Sequence, residues 1–150
     1  SRSEAKRYIE SYFTQYPGIH AFMETMVNRA KETGYAETLL GRRRLLPELH
    51  AAKYMTRQFG ERVAMNMPIQ GTAADIIKLA MVRTEQALTA GGFQSKLILQ
   101  VHDELLIDAA REEADAVQAL LKEAMEEAFQ MAVPLKAEVS GSEVSWYYCK

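Results

Sequence analysis

Apolar positions return every three or four residues through most of this chain, and the period shortens to two in one place. Ala5, Tyr8, Ile9, Tyr12, Phe13 and Tyr16 predict an amphipathic helix. Ser1 followed by Glu4 has capping-box spacing at its start, and Pro17-Gly18 ends it. A second helix is expected to turn Ile19, Phe22, Met23, Met26 and Ala30 inward and to stop at Gly34. Tyr35 to Pro47 reads as a short ribbon with a basic turn. A third helix follows from Ala52 to about Asn66, where Pro68 is expected to interrupt it because proline lacks the amide that continues the ladder. A long helix resumes from Thr72, read as its N-cap, to about Ala90. Ala73, Ile76, Ile77, Ala80, Met81, Thr84 and Leu88 form its apolar stripe, and Gly91-Gly92 closes it. Two apolar strand-like stretches, around Leu97–Val101 and Leu105–Ile107, then flank the polar tip His102-Asp103-Glu104, as in a hairpin. A helix from Arg111 to Gln130 is expected to bury Ala114, Val117, Leu121, Ala124, Met125 and Ala128, and a last strand is expected near Leu135 to Val139. The fold class is therefore α+β, with helices packed on one face of a small antiparallel sheet.

Composition narrows the class. At 150 residues, 48% hydrophobic and 25% charged, the chain reads as a soluble globular protein of one domain or two small lobes. No apolar run approaches the roughly 20 residues that span a bilayer, so no membrane partner is expected. From the polar N-terminus no secretory signal is expected. The single Cys149 excludes an intrachain disulfide and a cysteine-rich zinc site and points to a reducing compartment. The net charge of −2 hides an asymmetry: 14 Lys and Arg against 9 Asp and Glu up to Val101, then 4 against 11 from His102 onward. Arg42, Arg43, Arg44, Lys53, Arg57 and Arg62 make the basic part dense enough to meet a polyanion. Solvated helix faces would give the same split.

Three constellations carry candidate chemistry. At the hairpin tip, Asp103 offers a carboxylate that strands hold in place and nothing covers, which suits a hard divalent cation. Turn carboxylates are also common for purely local reasons. Glu104 follows it and alternates to the other strand face, while Asp75 and Asp108 have no evident reason to converge, so the cation site looks incomplete. Gln58, Arg62, Asn66 and Gln70 recur at spacings of four and line one side of a helical path. Such neutral amides suit minor-groove acceptors, which look alike for every base pair. Equally, Asn66 and Gln70 would cap the break at Pro68. Arg42, Arg43 and Arg44 would grip phosphates, or else pair with Glu37 and Glu48. The eight methionines read as core filler, and no glycine-rich phosphate loop or zinc signature is present.

Thr38-Leu39-Leu40-Gly41-Arg42-Arg43-Arg44, Asn66-Met67-Pro68-Ile69-Gln70-Gly71-Thr72-Ala73-Ala74-Asp75 and Gln100-Val101-His102-Asp103-Glu104-Leu105 together resemble the C-terminal part of a family A DNA polymerase, the bacterial polymerase-I type. The resemblance covers essentially the whole chain. It implies that Asp103 is one of two palm aspartates holding a catalytic Mg²⁺ pair, with Glu104 its acidic neighbour. It implies that Arg62, Asn66, Gln70 and His102 contact primer-template DNA near the growing end, largely from the minor-groove side. Residues 1–46 would be the rear of the fingers and 47–150 the C-terminal palm portion.

The family's reaction is attack of a primer 3′-hydroxyl on the α-phosphate of a deoxynucleoside triphosphate. The family's upstream palm aspartate, its nucleotide-receiving fingers helix and its thumb are not found here. The expectation is a fragment that is inactive alone, partnered by the remainder of the polymerase chain, in a bacterial cytoplasm and associated with the nucleoid. The competing expectation is a non-catalytic module that binds duplex nucleic acid through its basic half.

Overall fold

In the computed structural model, which describes residues 1–149, helix α1 spans Arg2–Gln15 and begins with the expected capping box, Ser1 Oγ accepting the Glu4 amide. Helix α2, Pro17–Thr33, starts on a proline that needs no amide partner and ends at Gly34. Gly34 has φ 81°, a left-handed conformation that a side chain would resist, and its amide takes the Ala30 carbonyl. The chain then forms an antiparallel ribbon of β1, Tyr35–Glu37, and β2, Arg43–Leu45, in the register Ala36↔Arg44. A 3₁₀ turn at Pro47–His50 leads into helix α3, Tyr54–Asn66.

The chain divides into two compact units, Ser1–Thr72 and a second beginning at Ala73. The first is built around Ala30, Ala36, Leu46, Leu49 and Ala64, with Val27, Val63 and Met67 against them. Three of these are alanines, which let backbones approach. A Cβ on Gly60 would lie 3.0 Å from the Leu49 amide nitrogen. Fully buried Leu46 contributes about 2 kcal/mol of burial. This core sits at the C-terminal end of α2. Ile19 and Phe22, expected inward, are therefore exposed, as is Phe59 of α3, while Val63 is half-buried.

Pro68 does not break the helix. The residues Met67–Gly71 form a π-helical turn, and the backbone stays in the right-handed helical region at Asn66, Met67 and Thr72. The wider turn relieves the clash between the proline ring and the carbonyl four residues back. Thr72 is consequently not an N-cap; helix α4, Thr72–Ala90, takes it as its first residue, and its hydroxyl hydrogen-bonds back to the Pro68 carbonyl.

In the second unit, Ile77, Ala80, Leu105 and Leu121 form the core, flanked by Met81, Leu97, Ile107, Met125, Ala128 and Val139. The predicted stripe of α4 is buried or half-buried except at Ala73. Strands β3, Lys96–Val101, and β4, Glu104–Asp108, pair antiparallel, with Ile98 as an extra residue between the pairs Leu97↔Ile107 and Leu99↔Leu106.

Helix α5, Ala114–Glu126, is shorter than the expected Arg111 to Gln130. A 3₁₀ turn precedes it, and at its end the Arg83 guanidinium takes the Glu127 carbonyl at 2.5 Å. The expected strand at 135–139 is absent. No described strand pairs there; the Ala137 amide donates to Glu126 Oε1 at 3.0 Å instead, and Val139 packs on the core. Among the described residues no helix is long and apolar enough to cross a membrane.

Candidate functional site

Each unit presents one candidate surface. In the first unit, Arg62, Asn66 and Gln70 are exposed, and among the described residues none has a side-chain partner. Asn66 and Gln70 therefore do not cap the helix at Pro68. In an α-helix, residues spaced by four drift about 40° around the axis at each step. The π turn spends an extra residue per turn and offsets that drift, so Gln70 stays near the line of Arg62 and Asn66. Gln58 differs: half-buried, its amide donates to the Tyr54 hydroxyl at 2.6 Å.

The ribbon turn is fastened to the π turn. The Leu39 amide donates to Thr72 Oγ1 at 3.0 Å, and the same hydroxyl bonds to the Pro68 carbonyl. Buried Thr38 packs so closely that a Cβ on Gly71 would fall 2.7 Å from its methyl carbon. The motifs around Gly41 and around Pro68, separated in sequence, are thus one structure. Within the arginine triplet the roles diverge. Arg43 Nε bonds Glu37 Oε2 at 2.5 Å, and its guanidinium carbon lies 4.6 Å from the Tyr35 ring centre. The hydrogen bond to Glu37 and the charge of Tyr35 hold its proton more tightly than in a free guanidinium. Arg42 tightens the turn through its backbone, donating to Thr38 Oγ1 at 3.1 Å. Arg44 is exposed and free of side-chain partners among the described residues. Glu48 keeps one buried oxygen without a hydrogen-bond partner.

In the second unit the hairpin turn is His102-Asp103, with Glu104 already in β4 and paired to Val101. His102 has φ 53°, left-handed backbone that few side chains adopt, and its carbonyl accepts the side-chain Nε2 of Gln100 at 2.5 Å. His102, Asp103 and Glu104 are all exposed, while Leu105, the next residue, anchors the strand in the core.

The base of the hairpin is held by a residue that the sequence reading missed. Glu113 accepts the Gln94 amide at 3.0 Å, the Ser95 amide at 3.0 Å and the Ser95 hydroxyl at 2.6 Å. Ser95 Oγ in turn accepts the Ala110 amide at 3.0 Å. These donors, the Gln94 amide first, hold the Glu113 carboxyl below its ordinary range. Its place in the acidic run Glu112-Glu113 gave it the look of a solvated helix end.

Among the described residues no group of three or more His, Cys, Asp or Glu could hold a metal ion. Asp103 nevertheless fits one position of a magnesium shell: a hard oxygen donor, exposed, on a fixed turn. Mg²⁺ commonly takes one or two carboxylates and completes its shell with water and substrate phosphates.

The first unit thus presents an exposed row of Arg62, Asn66 and Gln70, and the second a carboxylate-tipped hairpin. The family model for DNA polymerase family A matches residues 1–147, and the chain belongs to that family. It is 48% identical over 150 residues to DNA polymerase I of Lactococcus lactis subsp. lactis, covering 100% of this chain and 17% of that one. It is 47% identical over 147 residues to the thermostable DNA polymerase I of Thermus thermophilus, covering 98% of this chain and again 17% of the other. Among solved structures, the POL domain of Pol1 from M. smegmatis, in complex with DNA primer-template and dNTP, matches with a TM-score of 0.87 and 43% identity. That match covers 91% of this chain and 24% of the other. The chain thus spans about a sixth of the length of these curated relatives.

Proposed function

We propose that this chain is the C-terminal part of a DNA-directed DNA polymerase, adding deoxynucleotides to a primer in a bacterial cytoplasm, at the nucleoid. The reaction is attack of the primer 3′-hydroxyl on the α-phosphate of a deoxynucleoside triphosphate, with pyrophosphate as the leaving group. Residues 1–46 would form the rear of the fingers and 47–150 the palm portion. The observation that carries this reading is the exposed Asp103 on a core-anchored turn, in a chain of family A sequence throughout.

Asp103, with Glu104 beside it, would offer oxygen to one magnesium ion, the remaining ligands coming from substrate phosphates and the rest of the polymerase. Such ions, when bound, activate the attacking hydroxyl and offset charge on the leaving group. The work of the chain itself is positional. The hairpin holds the carboxylate still, because Leu105 on one side and the Glu113 bonds at the base fix its strands. Arg62, Asn66 and Gln70 donate to purine N3 and pyrimidine O2 in the minor groove, testing pair shape without reading sequence. Arg44 meets backbone phosphate, Arg42 and Arg43 shape the turn that presents it, and His102 flanks the primer end from the hairpin. The M. smegmatis relative, solved with primer-template and dNTP, supports these partners.

The test is primer extension by the intact polymerase that carries this chain. Asp103→Ala is expected to lower turnover by roughly 10³-fold or more. The isolated 150 residues are expected to be inactive. Mg²⁺-dependent extension by the isolated chain, abolished by Asp103→Ala, would contradict the second expectation; wild-type turnover in the intact variant would contradict the first.

A further inference from the structure

Thr72 lies on neither candidate surface, yet its hydroxyl joins two features of the first unit, the π turn and the ribbon turn. It is 5% exposed, donates to the carbonyl of the proline that disturbs the helix, and accepts the Leu39 amide from the ribbon turn. A serine or threonine inside a helix ordinarily bonds back to the carbonyl four residues earlier and does nothing else. Here that carbonyl belongs to Pro68, inside the π turn, so the bond ties the widened turn to the start of α4. The second bond, from Leu39, comes from 33 residues away, and Gly71 leaves the room for it.

The consequence falls on Gln70. Its neighbours in sequence, Gly71 and Thr72, are the points where the ribbon presses on the helix, and Gln70 itself is exposed between that contact and Asn66. If the turn tightened to an ordinary α-helix, each later residue would rotate away and Gln70 would leave the line of Arg62 and Asn66. We infer that Thr72 is a positioning residue: its hydroxyl holds the π turn open and thereby aims Gln70 along the same groove as Asn66. The inference rests on the proposed minor-groove role of Gln70. It makes the side chain at 72 a determinant of how the polymerase judges the primer end, through backbone geometry and without touching DNA.

The experiment is a double-mutant cycle in the intact polymerase, read as the ratio of kcat/KM for matched against mismatched primer ends. A ratio measured on one preparation does not move when a variant is merely less stable. Gln70→Ala is expected to reduce it about 10-fold, Thr72→Val about as much, and the double variant no further than Gln70→Ala alone. Thr72→Ser keeps the hydroxyl and should preserve the wild-type ratio. Independent, multiplying effects of the two substitutions would overturn the inference, as would a Ser variant that behaves like Val. An unchanged ratio in Gln70→Ala would instead remove the minor-groove reading on which it stands. Should Thr72→Val not fold, the Ser variant still decides, because loss of the ratio with the hydroxyl in place contradicts the claim.

Discussion

The two units fix their exposed polar groups by different means. In the first, a helix is locally widened and held by contacts from a distant ribbon: Gly71 under Thr38, and the Thr72 hydroxyl between Pro68 and Leu39. In the second, the carboxylate turn is held by strand pairing, a buried leucine behind it and a carboxylate latch at its base. The first unit presents neutral donors together with Arg44 and Arg62, both exposed, and the second an anionic acceptor. Donors suit the groove and phosphates of a duplex, and the acceptor suits a cation. The lesson is that the stripe depends on long-range contacts and the turn on its own core, so they should fail to different substitutions.

The largest stability effect is expected at the core behind the hairpin. Leu105→Ala should cost about 2–4 kcal/mol in urea unfolding, since Leu105 is 8% exposed and central to its cluster. A smaller loss is expected from Gly71→Ala, about 1–3 kcal/mol, because the new methyl meets Thr38 and Met67. The sign is diagnostic there: alanine normally favours a helix over glycine, and a stabilised variant would mean that the ribbon does not press on the π turn.

Much of this was legible in the sequence, for local reasons. The capping box of α1, the glycine stop of α2, the stripe of α4 and the hairpin around His102-Asp103 are set by residues within a few positions of one another. The π turn was not, because a proline in a helical pattern reads as a break. The helix continues through a π turn packed on a distant segment, where the Thr72 hydroxyl accepts the amide of Leu39, 33 positions earlier. Glu113 was hidden similarly, its partners lying at Gln94 and Ser95 across the hairpin. The strand expected near Leu135 to Val139 failed for want of a neighbour, which no pattern within a strand reveals. Of the site residues, the exposure of Asp103, Asn66 and Gln70 followed their pattern, whereas the division of labour among the arginines needed the ribbon register.

Two gentler effects follow. In the intact polymerase, Arg44→Ala should lower the salt slope of duplex binding by about one, and Arg43→Ala by less, because Arg43 is engaged with Glu37 and Tyr35. Equal slopes would mean that the ion pair does not hold Arg43 back from DNA. The Glu113 carboxyl titrates lower in the folded chain than in the unfolded one. Its contribution is thus present above its ordinary value near 4.5 and lost as pH falls through the lowered one. Unfolding midpoints measured on the acid side should fall less steeply with pH in Glu113→Gln than in the unsubstituted chain.

Duplex affinity and single-turnover incorporation, measured side by side on Asp103→Ala and Gln70→Ala in the intact polymerase, probe the division between the two surfaces most directly. Asp103→Ala should lose roughly 10³-fold in incorporation while binding primer-template within about twofold of wild type, and Gln70→Ala should lose primer-end discrimination with far less change in rate. Incorporation at wild-type speed without the Asp103 carboxylate, or an equal loss of binding and rate from both substitutions, would contradict it.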